Sequence, residues 1–579
     1  MRELTVSDYF IEFFIKNGIT DIFGYQGGMI AYIFDSIGKY KEKIKYHPCG
    51  NEQAAAFEAC AWSQATGKCG VAISTSGPGF TNLLTGMANA WFDSIPVIFI
   101  SGNVNTKDKK RDRPLKQDGF QEIQAVQIAR PIVKKAYELE LGMDYASILF
   151  DALNTTMSGR KGPVYIDLPI NVCREKIQFD NIKEYRRIYG TFSDNSELAH
   201  IVNCFEKSKR PLIIAGAGIK QCQLKNEFEE LINFLDVPVV TTLPAIDILS
   251  TDNSKNCGFI GATGRRMAGL VLKNCDLVLS LGTRLCSKQL GHNLAAFAPN
   301  AKLIRIDIDE AEFVRKIKSN EKELNVDLQH FIYGLNQYLE TNHIRMKHTK
   351  WLNQCSQIKS LLDGYDITEG NRIVNEITKF ILDGANIVFD VGKNMQYNGQ
   401  STIIRKDTQV YMSAGLGSMG YSIPAAIGAY VGNKKATYSF NGDGGALMNI
   451  QELNTIAKAH LPIKVFILNN KALGNIRLFQ ESYLDNRYVG TTENCGDYYS
   501  TDFVKVAEGF GIKGFKISSV KDLVAKKDCL YDNEPYVFEI EYEDCPSLPG
   551  IVACGDFING GQPLPDEIKV QLNRIIEDN

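Results

Sequence analysis

Short runs of Val, Ile and Leu without polar alternation recur along this sequence, and they constrain its fold more than any other feature. Runs such as "IPVIFIS", "PLIIAGAG", "LVLSLGT" and "IKVFILNN" are apolar at almost every position. A strand with one face in water alternates apolar and polar residues, so these strands are expected to be buried on both faces of parallel sheets. Amphipathic helical segments lie between them. The pattern predicts an α/β fold with helices on both sides of each sheet.

The chain is long enough for several domains of this kind. At roughly 100–200 residues per domain, its 579 residues are expected to form three or four domains. Two stretches, near 173–196 and 338–368, have the composition of linkers. We therefore predict domains at 1–175, 190–340 and 365–579. The first and third carry glycine-rich loops after a strand, which suggests that their folds are related.

Composition and charge exclude several classes of protein. Hydrophobic residues make up 44% and charged residues 23%, and the net charge of −3 gives no electrostatic reason to expect nucleic acid or an anionic membrane as partner. No apolar run approaches the roughly 18–20 residues that span a bilayer. The start, "MRELTVSDYFIEFFIKNGI", has the spacing of an amphipathic surface helix and not of a signal peptide.

Cysteine and histidine usage narrows the chemistry further. The 14 cysteines include no C-x-x-C pair and mostly have apolar neighbours, so buried free thiols in a reducing cytoplasm are expected. The seven histidines are not clustered. The sequence therefore gives little reason to expect a histidine-based metal site or a Ser-His-Asp triad.

The stretch "ATYSFNGDGGALMNIQELNTIAKAHLPIKVFILNN" contains the most informative local pattern. It predicts a strand, a tight glycine turn at Asp443, a helix and a second strand that ends at Asn469–Asn470. Asn449 is expected to be the N-cap of that helix, with Glu452 completing a capping box. Because ligands bind at the carboxyl ends of parallel strands, Asp443 and the asparagine pair are expected to lie close together.

One carboxylate and one amide are too few ligands for a metal cage made by protein alone. They suit Mg²⁺ held jointly by protein, a diphosphate and water. Glycine lets the backbone approach a ligand closely, and the amides of a helix N-terminus attract phosphate. The turn residues expected to do this are Gly442, Gly444 and Gly445. The alternative is an ordinary Asp-Gly turn with an Asn-rich loop.

Several segments carry a resemblance to a known family. "GDG" followed at this interval by "NN" is similar to the signature of thiamine-diphosphate-dependent enzymes. The segments "NEQAAAFEACAWSQATGKCGVAISTSGPGFTNLLTG", "DGFQEIQAVQIARPIVKKA", "SAGLGSMGYSIPAAIGA" and "NNKALGNIRLFQ" resemble, in this order, parts of the acetohydroxyacid (acetolactate) synthase family. The resemblance covers nearly the whole chain. It implies three doubly wound parallel-sheet domains, which are pyrimidine-binding, central and diphosphate-binding.

The resemblance also implies roles for residues that would hold the cofactor. Glu52 would hydrogen-bond the pyrimidine ring from an apolar setting that keeps its carboxyl able to donate. Gly417 would present its carbonyl to the pyrimidine amino group, and Met419 would wedge beneath the cofactor. Asn394 would contact the diphosphate. Mg²⁺ would be held by Asp443, Asn470 and the backbone carbonyl of Ala472. For Glu52 and Met419, a surface glutamate and a core methionine are the alternatives.

On the substrate side, the resemblance implies that Gln121 lies over the reaction centre and that Phe120 lines the pocket, although a core phenylalanine is an equal alternative. Asn475 and Phe479 replace the methionine and tryptophan that are usual in the family. Both changes fall where the acceptor should lie.

The central domain resembles a flavin site in part. Arg284 in "LGTRL" and Asp307 in "IDIDEAE" match the family's flavin contacts, whereas "GFIGATGRRMAG" lacks the histidine of the adjoining loop. The sequence therefore leaves open whether the central domain binds FAD, ADP or no nucleotide. Asp307 could instead only cap the end of a strand.

The implied activity is that of a carboligase, which decarboxylates pyruvate and joins the two-carbon unit to a second carbonyl compound. A second pyruvate would give 2-acetolactate. Transfer to a larger ketone, such as a nucleotide-linked keto-sugar, is the first alternative. Simple 2-oxo-acid decarboxylation is the second, and a non-catalytic cofactor-binding subunit is a third. The resemblance implies active sites between two chains, hence a homodimer or homotetramer, and the Pro- and Gly-rich end of the chain is expected to form a strap over the site.

Overall fold

The computed structural model describes residues 2–179, 181–365, 367–543 and 563–577. It contains three six-stranded sheets in which the paired strands are parallel. The predicted α/β class is therefore confirmed. The predicted C-terminal strap falls mostly on 544–562 and lies outside the described residues.

The first sheet and its helices come from the N-terminal third of the chain. The elements are β1 (Arg2–Thr5), α1 (Val6–Lys16), β2 (Asp21–Gly24), α2 (Ala31–Lys39), β3 (Lys45–Pro48), α3 (Glu52–Thr66), β4 (Gly70–Ser74), α4 (Pro78–Phe92), β5 (Val97–Asn103), α5 (Ala125–Ala129), β6 (Lys135–Glu138), α6 (Tyr145–Met157), β7 (Val164–Pro169), α7 (Ile170–Cys173) and β8 (Lys176–Phe179). The sheet has the order β3-β2-β4-β5-β7-β6, and β1 pairs antiparallel with β8.

The second sheet follows. Its elements are α8 (Asn195–Lys207), β9 (Pro211–Ala215), α9 (Gly218–Gln221), α10 (Lys225–Leu235), β10 (Val239–Thr241), β11 (Asn256–Phe259), α11 (Arg266–Asn274), β12 (Leu277–Leu281), α12 (Ser287–Leu290), β13 (Lys302–Asp307), β14 (Lys322–Asn325), α13 (Leu328–Thr341) and α14 (Thr349–Leu362). The order is β11-β10-β9-β12-β13-β14.

The third sheet completes the molecule. Its elements are α15 (Glu369–Thr378), β15 (Asn386–Phe389), α16 (Lys393–Ser401), β16 (Gln409–Met412), α17 (Ser422–Asn433), β17 (Thr437–Gly442), α18 (Asp443–Met448), α19 (Glu452–Lys458), β18 (Ile463–Asn469), α20 (Gly474–Tyr483), α21 (Phe503–Phe510), β19 (Lys513–Ile517), α22 (Val520–Ala525), β20 (Tyr536–Glu541) and α23 (Asp566–Glu577). The order is β16-β15-β17-β18-β20-β19.

The first and third sheets share one topology. Numbered along the chain within each sheet, both have the strand order 2-1-3-4-6-5, whereas the second sheet has the order 3-2-1-4-5-6. Both orders reverse direction at one point, and ligands bind at such a switch point beyond the carboxyl ends of the strands. The switch point lies between β2 and β4 in the first sheet, between β9 and β12 in the second and between β15 and β17 in the third.

The apolar runs are buried on both faces, as their lack of alternation predicts. In β4, Val71 and Ile73 pack into the core on one side of the first sheet, while Ala72 packs into the core on the other side. Successive strand residues point to opposite faces, so a strand covered on both sides needs apolar residues at every position. Helix α1 is buried over most of its surface because α2, α6 and α7 pack around it. The expectation of a surface helix was therefore wrong.

The first and third sheets share one core, which is centred on the packing of α3 against α17. A Cβ at Gly428 would lie 2.0 Å from the carbonyl oxygen of Glu58, so only glycine allows α17 to come this close to α3. On its other side α3 packs against α4, where a Cβ at Gly86 would lie 2.1 Å from Ala56 Cβ. These contacts fix the ends of α3, and hence Glu52, relative to the third sheet.

In the part of the chain that the structure describes, no helix combines the length and apolar character needed to cross a bilayer. The twelve cysteines of that part are unpaired, and seven of them are buried.

Candidate active site

The turn at Asp443 lies at the switch point of the third sheet. Gly442 is the last residue of β17 and Asp443 the first of α18, so a helix N-terminus begins directly at the strand end. Gly442 pairs with Leu468 of β18, which brings Asn469 and Asn470 to the same edge. The structure thus brings together the two parts of the motif. Asp443 is only 2% exposed.

Asp443 is held by three groups. Tyr498 Oη donates to Asp443 Oδ2 at 2.9 Å, and the backbone amides of Gly444 and Ala472 also donate to the carboxylate. Burial raises the pKa of Asp443 to about 6, and these hydrogen bonds oppose that rise. Ala472, a proposed carbonyl ligand, is therefore already beside the carboxylate that would share its cation.

The two asparagines of the pair have different surroundings. Asn469 Nδ2 donates to Glu539 Oε1 at 2.8 Å, and Asn469 Oδ1 accepts from Ser500 Oγ at 3.1 Å. Both polar atoms of this side-chain amide are therefore hydrogen-bonded at the edge of the sheet. Asn470 follows the strand and is half-buried at the start of the loop to α20. A role for Asn470 as a ligand stays a prediction.

The helix after the turn is broken, which the sequence did not predict. α18 ends at Met448, and Asn449 is its C-cap and not the N-cap of the next helix. The Asn449 amide donates to the Gly420 carbonyl and to Gln53. Glu452 does not close a capping box, because its carboxylate accepts from the Gly50 amide at 2.7 Å. Contacts with the first sheet replace the predicted local cap.

A buried carboxylate organises the loop that carries Gly417 and Met419. Asp390, directly after β15, accepts hydrogen bonds from the amides of Val391, Gly420 and Ser422. Burial raises the pKa of Asp390 to about 6. A Cβ on Gly445 would lie 2.9 Å from this carboxylate, so the second glycine of the turn makes room for it. Asp390 follows an apolar run as Asp443 does, a signal that could have identified it from the sequence.

The predicted cofactor residues of this half lie around the same edge. Gly417 adopts φ +74°, a left-handed conformation that favours glycine. The methyl of Met419 would lie 3.3 Å from a Cβ on Gly444, so this side chain borders the turn. The Asn394 side-chain amide, in the first turn of α16, donates to the carbonyls of Asp390 and Phe440.

Glu52 and Gln121 form a second group, at the switch point of the first sheet. Glu52 begins α3 and is buried, and its Oε2 accepts from Asn82 Nδ2 at 2.8 Å. A Cβ on Gly79 would lie 3.2 Å from Glu52 Oε1. Gln121 has φ +63° and packs against Gly77, the residue that precedes α4. Two residues that are distant in sequence thus meet at the N-terminal end of α4.

The residues predicted on the acceptor side are open to solvent in one chain. Phe120 is 77% exposed, which excludes the alternative of a core phenylalanine. Phe479 is 53% exposed and packs against Tyr483, with ring centroids 5.0 Å apart. Asn475 lies one turn earlier on α20 and is half-buried.

Arg284 and Asp307 line a cleft at the switch point of the second sheet. A Cβ on Gly216 would lie 2.1 Å from the Gly282 carbonyl oxygen, so only glycine lets the loops after β9 and β12 pack this closely. Burial raises the pKa of Asp307. Gly218 and Gly282 line the cleft, so a phosphate group could approach the backbone there.

Two groups of this cleft were not anticipated from the sequence. Arg160 lines it and forms ion pairs with Asp309 at 2.8 Å and Glu312 at 2.7 Å. Asp93 at the end of α4 also lines it, and its carboxylate accepts from the amides of Ala414 and Gly415 at 3.0 and 2.7 Å. Burial raises the pKa of Asp93 to about 6. Asp93 therefore links the cleft to the loop that leads to Gly417.

The donor set at the third sheet fits the group that the motif implies. Asp443, the Asn470 amide and the Ala472 carbonyl offer hard oxygen ligands, which suit Mg²⁺ with a diphosphate and water completing its shell. In the described part of the chain, no group of three or more His, Cys, Asp or Glu side chains could hold a metal by itself. A cation here would depend on a bound anion.

Family models match all three parts of the chain. Residues 4–128 match the N-terminal TPP binding domain of thiamine pyrophosphate enzymes, residues 198–335 the central domain and residues 390–540 the C-terminal TPP binding domain. The matched segments contain Glu52 and Gln121 in the first, Arg284 and Asp307 in the second, and Asp443 and Asn470 in the third.

The chain is also similar in sequence to curated proteins along most of their length. The acetolactate synthase large subunit of Cyanidium caldarium is 33% identical over 536 residues, which cover 89% of each chain. The probable acetolactate synthase large subunit of Methanocaldococcus jannaschii is 32% identical over 96% of this chain and 94% of its own. The acetolactate synthase isozyme 2 large subunit of Escherichia coli K12 is 29% identical over 93% and 95%.

Proposed function

The chain belongs to the thiamine pyrophosphate enzyme family, and from this premise we propose that it is a carboligase that decarboxylates pyruvate and adds the two-carbon unit to a second carbonyl compound. The observation that carries the proposal is the presence of two complementary half-sites. One is the buried Glu52 at the switch point of the first sheet, and the other is the Asp443 turn at that of the third. When bound, thiamine diphosphate supplies the carbon nucleophile for both steps.

The residues have distinct parts in this proposal. Asp443, Asn470 and the Ala472 carbonyl would hold Mg²⁺ and through it the diphosphate. Glu52 would exchange a hydrogen bond and a proton with the pyrimidine ring, and burial at the start of α3 shields it from water. Gln121 has a neutral amide, which orients a substrate without delivering a proton. The absence of an acidic donor at that position favours ligation over release of an aldehyde.

Helix α4 lies between Glu52 and the Ala414–Gly415 backbone of the same chain. Glu52 lies at the N-terminal end of α4, whereas the Ala414–Gly415 backbone that leads to Gly417 is held at its C-terminal end by Asp93. The 15 residues of α4 separate these ends by about 22 Å. Glu52 is thus not held beside the Ala414–Gly415 backbone of its own chain. We propose that Glu52 of one protomer meets the Asp443 half-site of its partner, in a homodimer or homotetramer.

Exposed apolar side chains around both half-sites support the same assembly. Phe120 and Tyr25 are at least half exposed beside the first, and Met448 and Leu416 are exposed beside the second. Large apolar groups concentrated at one face indicate a protein interface. A partner subunit would cover them and exclude water from the reaction.

The cleft of the second sheet supports a nucleotide as a further ligand. Arg284 supplies positive charge, and glycine backbone lines the cleft at Gly218 and Gly282. FAD is the form proposed here, and ADP is the alternative. Release of the bound nucleotide by heat, followed by absorbance spectroscopy, distinguishes them because only the flavin absorbs visible light.

The acceptor is proposed to be a second pyruvate, which gives 2-acetolactate and one CO₂ from two pyruvates. A larger ketone, such as a nucleotide-linked keto-sugar, is the second candidate. It is favoured by α20, where Phe479 is half exposed and Asn475 offers an amide in place of an apolar side chain. Both residues follow the proposed ligand Ala472 closely along the chain, so they would border the acceptor.

The first test is to incubate the purified protein with thiamine diphosphate, Mg²⁺, FAD and pyruvate and to quantify CO₂, acetolactate and acetaldehyde together. Equal amounts of CO₂ and acetolactate would establish the first candidate. Slow CO₂ release that is accelerated by an added keto-sugar would establish the second. Acetaldehyde as the main product would show a decarboxylase, and no turnover with any of these would contradict the proposed activity.

A further inference from the structure

Tyr498 lies over the Asp443 turn, although no motif points to it. Its hydroxyl donates to Asp443 Oδ2 at 2.9 Å, and the same oxygen would lie 3.2 Å from a Cβ on Gly444. The hydroxyl therefore lies beside both the carboxylate and the backbone of Gly444, whose amide also donates to that carboxylate. Tyr498 comes from the segment between α20 and α21, far along the chain from the turn.

The segment around Tyr498 presents alternate side chains to the cation edge. Tyr498 faces Asp443, and Ser500, two residues later, donates to Asn469 Oδ1 at 3.1 Å. Tyr499 between them is 80% exposed. This alternation is that of an extended backbone with one face on the site. Tyr499 is therefore a natural comparison for Tyr498, since it shares the ring, the hydroxyl and the segment but not the contact.

The segment is tied to the loop that carries the proposed ligands. The Leu473 amide donates to the Thr491 carbonyl at 2.9 Å, and the Glu493 amide donates to the Lys471 carbonyl at 3.1 Å. Ala472 also forms an isolated bridge with Thr492. Asn470, Ala472 and Tyr498 thus belong to one hydrogen-bonded unit facing Asp443.

From this geometry we infer that Tyr498 is a positioning residue for the cation, which fixes the Asp443 carboxylate in the orientation that presents its other oxygen to Mg²⁺. A carboxylate that is free to rotate loses that rotational freedom when it binds a metal. One whose second oxygen is already hydrogen-bonded is oriented before the metal binds. Such outer partners typically contribute about 10- to 100-fold to metal affinity. The inference rests on the proposed function, because it assumes that Asp443 is a magnesium ligand.

The test compares Tyr498→Phe with Tyr499→Phe and the unchanged protein. Binding of thiamine diphosphate is measured by calorimetry over a series of Mg²⁺ concentrations, and melting temperatures are measured without ligands. Y498F is expected to raise the Mg²⁺ concentration for half-maximal binding by about 10-fold. At saturating Mg²⁺ its affinity for thiamine diphosphate should approach that of the unchanged protein. Y499F is expected to change neither quantity.

Each other outcome has a definite meaning. An unchanged Mg²⁺ requirement in Y498F overturns the inference and leaves the proposed function intact. A loss of binding that Mg²⁺ does not restore, together with a lower melting temperature, shows a structural role for the segment and also overturns it. Failure of the unchanged protein to bind thiamine diphosphate with Mg²⁺ overturns both the inference and the proposed function.

Discussion

At the scale of single residues, the proposed role of Glu52 is the one that a single substitution tests most directly. Its carboxylate accepts from Asn82, and a Cβ on Gly79 would lie 3.2 Å from its other oxygen, so glycine at that position leaves space for the carboxylate. Glu52→Gln keeps the shape and the hydrogen bond but removes the exchangeable proton, so we expect turnover to fall by about 10²- to 10³-fold. Glu42→Gln, at an exposed position, is the control. Steady-state rates, with calorimetry to verify cofactor binding, measure the effect, and an unchanged rate would refute the role of Glu52.

Glu452 makes stability depend on pH. Burial raises its pKa to about 7 from 4.5, and it lies near Glu58 and Cys49, whose pKa values burial also raises. The fold therefore favours the protonated carboxyl. A carboxyl whose pKa is higher in the folded state stabilises below its unfolded pKa, and this contribution is lost as pH rises through about 7.

The substitution Glu452→Gln should remove that dependence while keeping the bond from the Gly50 amide. We expect the variant to melt at the same temperature as the unchanged protein near pH 5 and several degrees higher near pH 8. Calorimetric melting between these pH values is the measurement. Parallel pH curves for the two proteins would contradict the assignment to Glu452.

The residues that could be predicted are those whose signal is local. Asp443 follows an apolar strand and opens a glycine turn, so its position at a sheet edge could be read from its chain neighbours. Glu452 could not, because the Gly50 amide that binds it lies in another domain. Tyr498 carries no local signal either. Its partner is brought to it only by the pairing of β17 with β18 and by the loop that follows.

At the scale of elements, the packing of α3 against α17 depends on the absence of one side chain. A Cβ on Gly428 would lie 2.0 Å from the Glu58 carbonyl oxygen, which belongs to the backbone of α3 and cannot turn away. Gly428→Ala should therefore force the helices apart. It should lower the free energy of unfolding by several kcal/mol and with it the melting temperature. Loss of thiamine diphosphate binding should accompany it, because α3 carries Glu52.

Gly509→Ala in α21 is the matched control, since nothing lies within 4 Å of its Cβ. Alanine is favoured over glycine in a helix by about 0.5–1 kcal/mol, so this variant should be neutral or slightly stabilised. Equal melting temperatures for the two variants would show that α3 and α17 can separate without cost. Calorimetry decides between these results.

Strands were easier to predict than helix ends. Apolar runs identify β5, β9, β12 and β18 because burial on both faces requires them. The interruption between α18 and α19 was missed, because Asn449 is bound by Gly420 and Gln53, contacts that no chain neighbour reveals. A predicted cap is a local contact, and here the tertiary contacts replaced it.

At the scale of the whole molecule, the two outer sheets share one strand order and the middle sheet has another. The glycine-rich loops suggested this kinship, but strand order depends on long-range pairing that one sequence does not encode visibly. The predicted domain boundaries stay a prediction. Each sheet has one switch point. Helix α4 connects two of these regions, because Glu52 lies at one of its ends and Asp93, which lines the cleft of the second sheet, lies at the other.

The proposed active site between two chains makes a prediction that no single variant can test. Glu52→Gln and Asp443→Asn each disable one half-site, so each homo-oligomer should be at least about 100-fold less active than the unchanged protein. In a mixed dimer, one site combines both substitutions and the other combines neither. Random pairing of the two variants should therefore restore about a quarter of the normal number of sites.

Co-expression of the two variants with different affinity tags, followed by tandem purification, isolates the mixed dimers, in which about half of the sites should be intact. The rate per chain is then compared with that of the unchanged protein purified in the same way. If each chain instead built its own site, every site would carry one substitution, and mixed dimers would be as inactive as either parent. Recovered activity would thus require that Glu52 and Asp443 act across the interface, because only a site shared by the two chains of a mixed dimer can combine both unsubstituted residues.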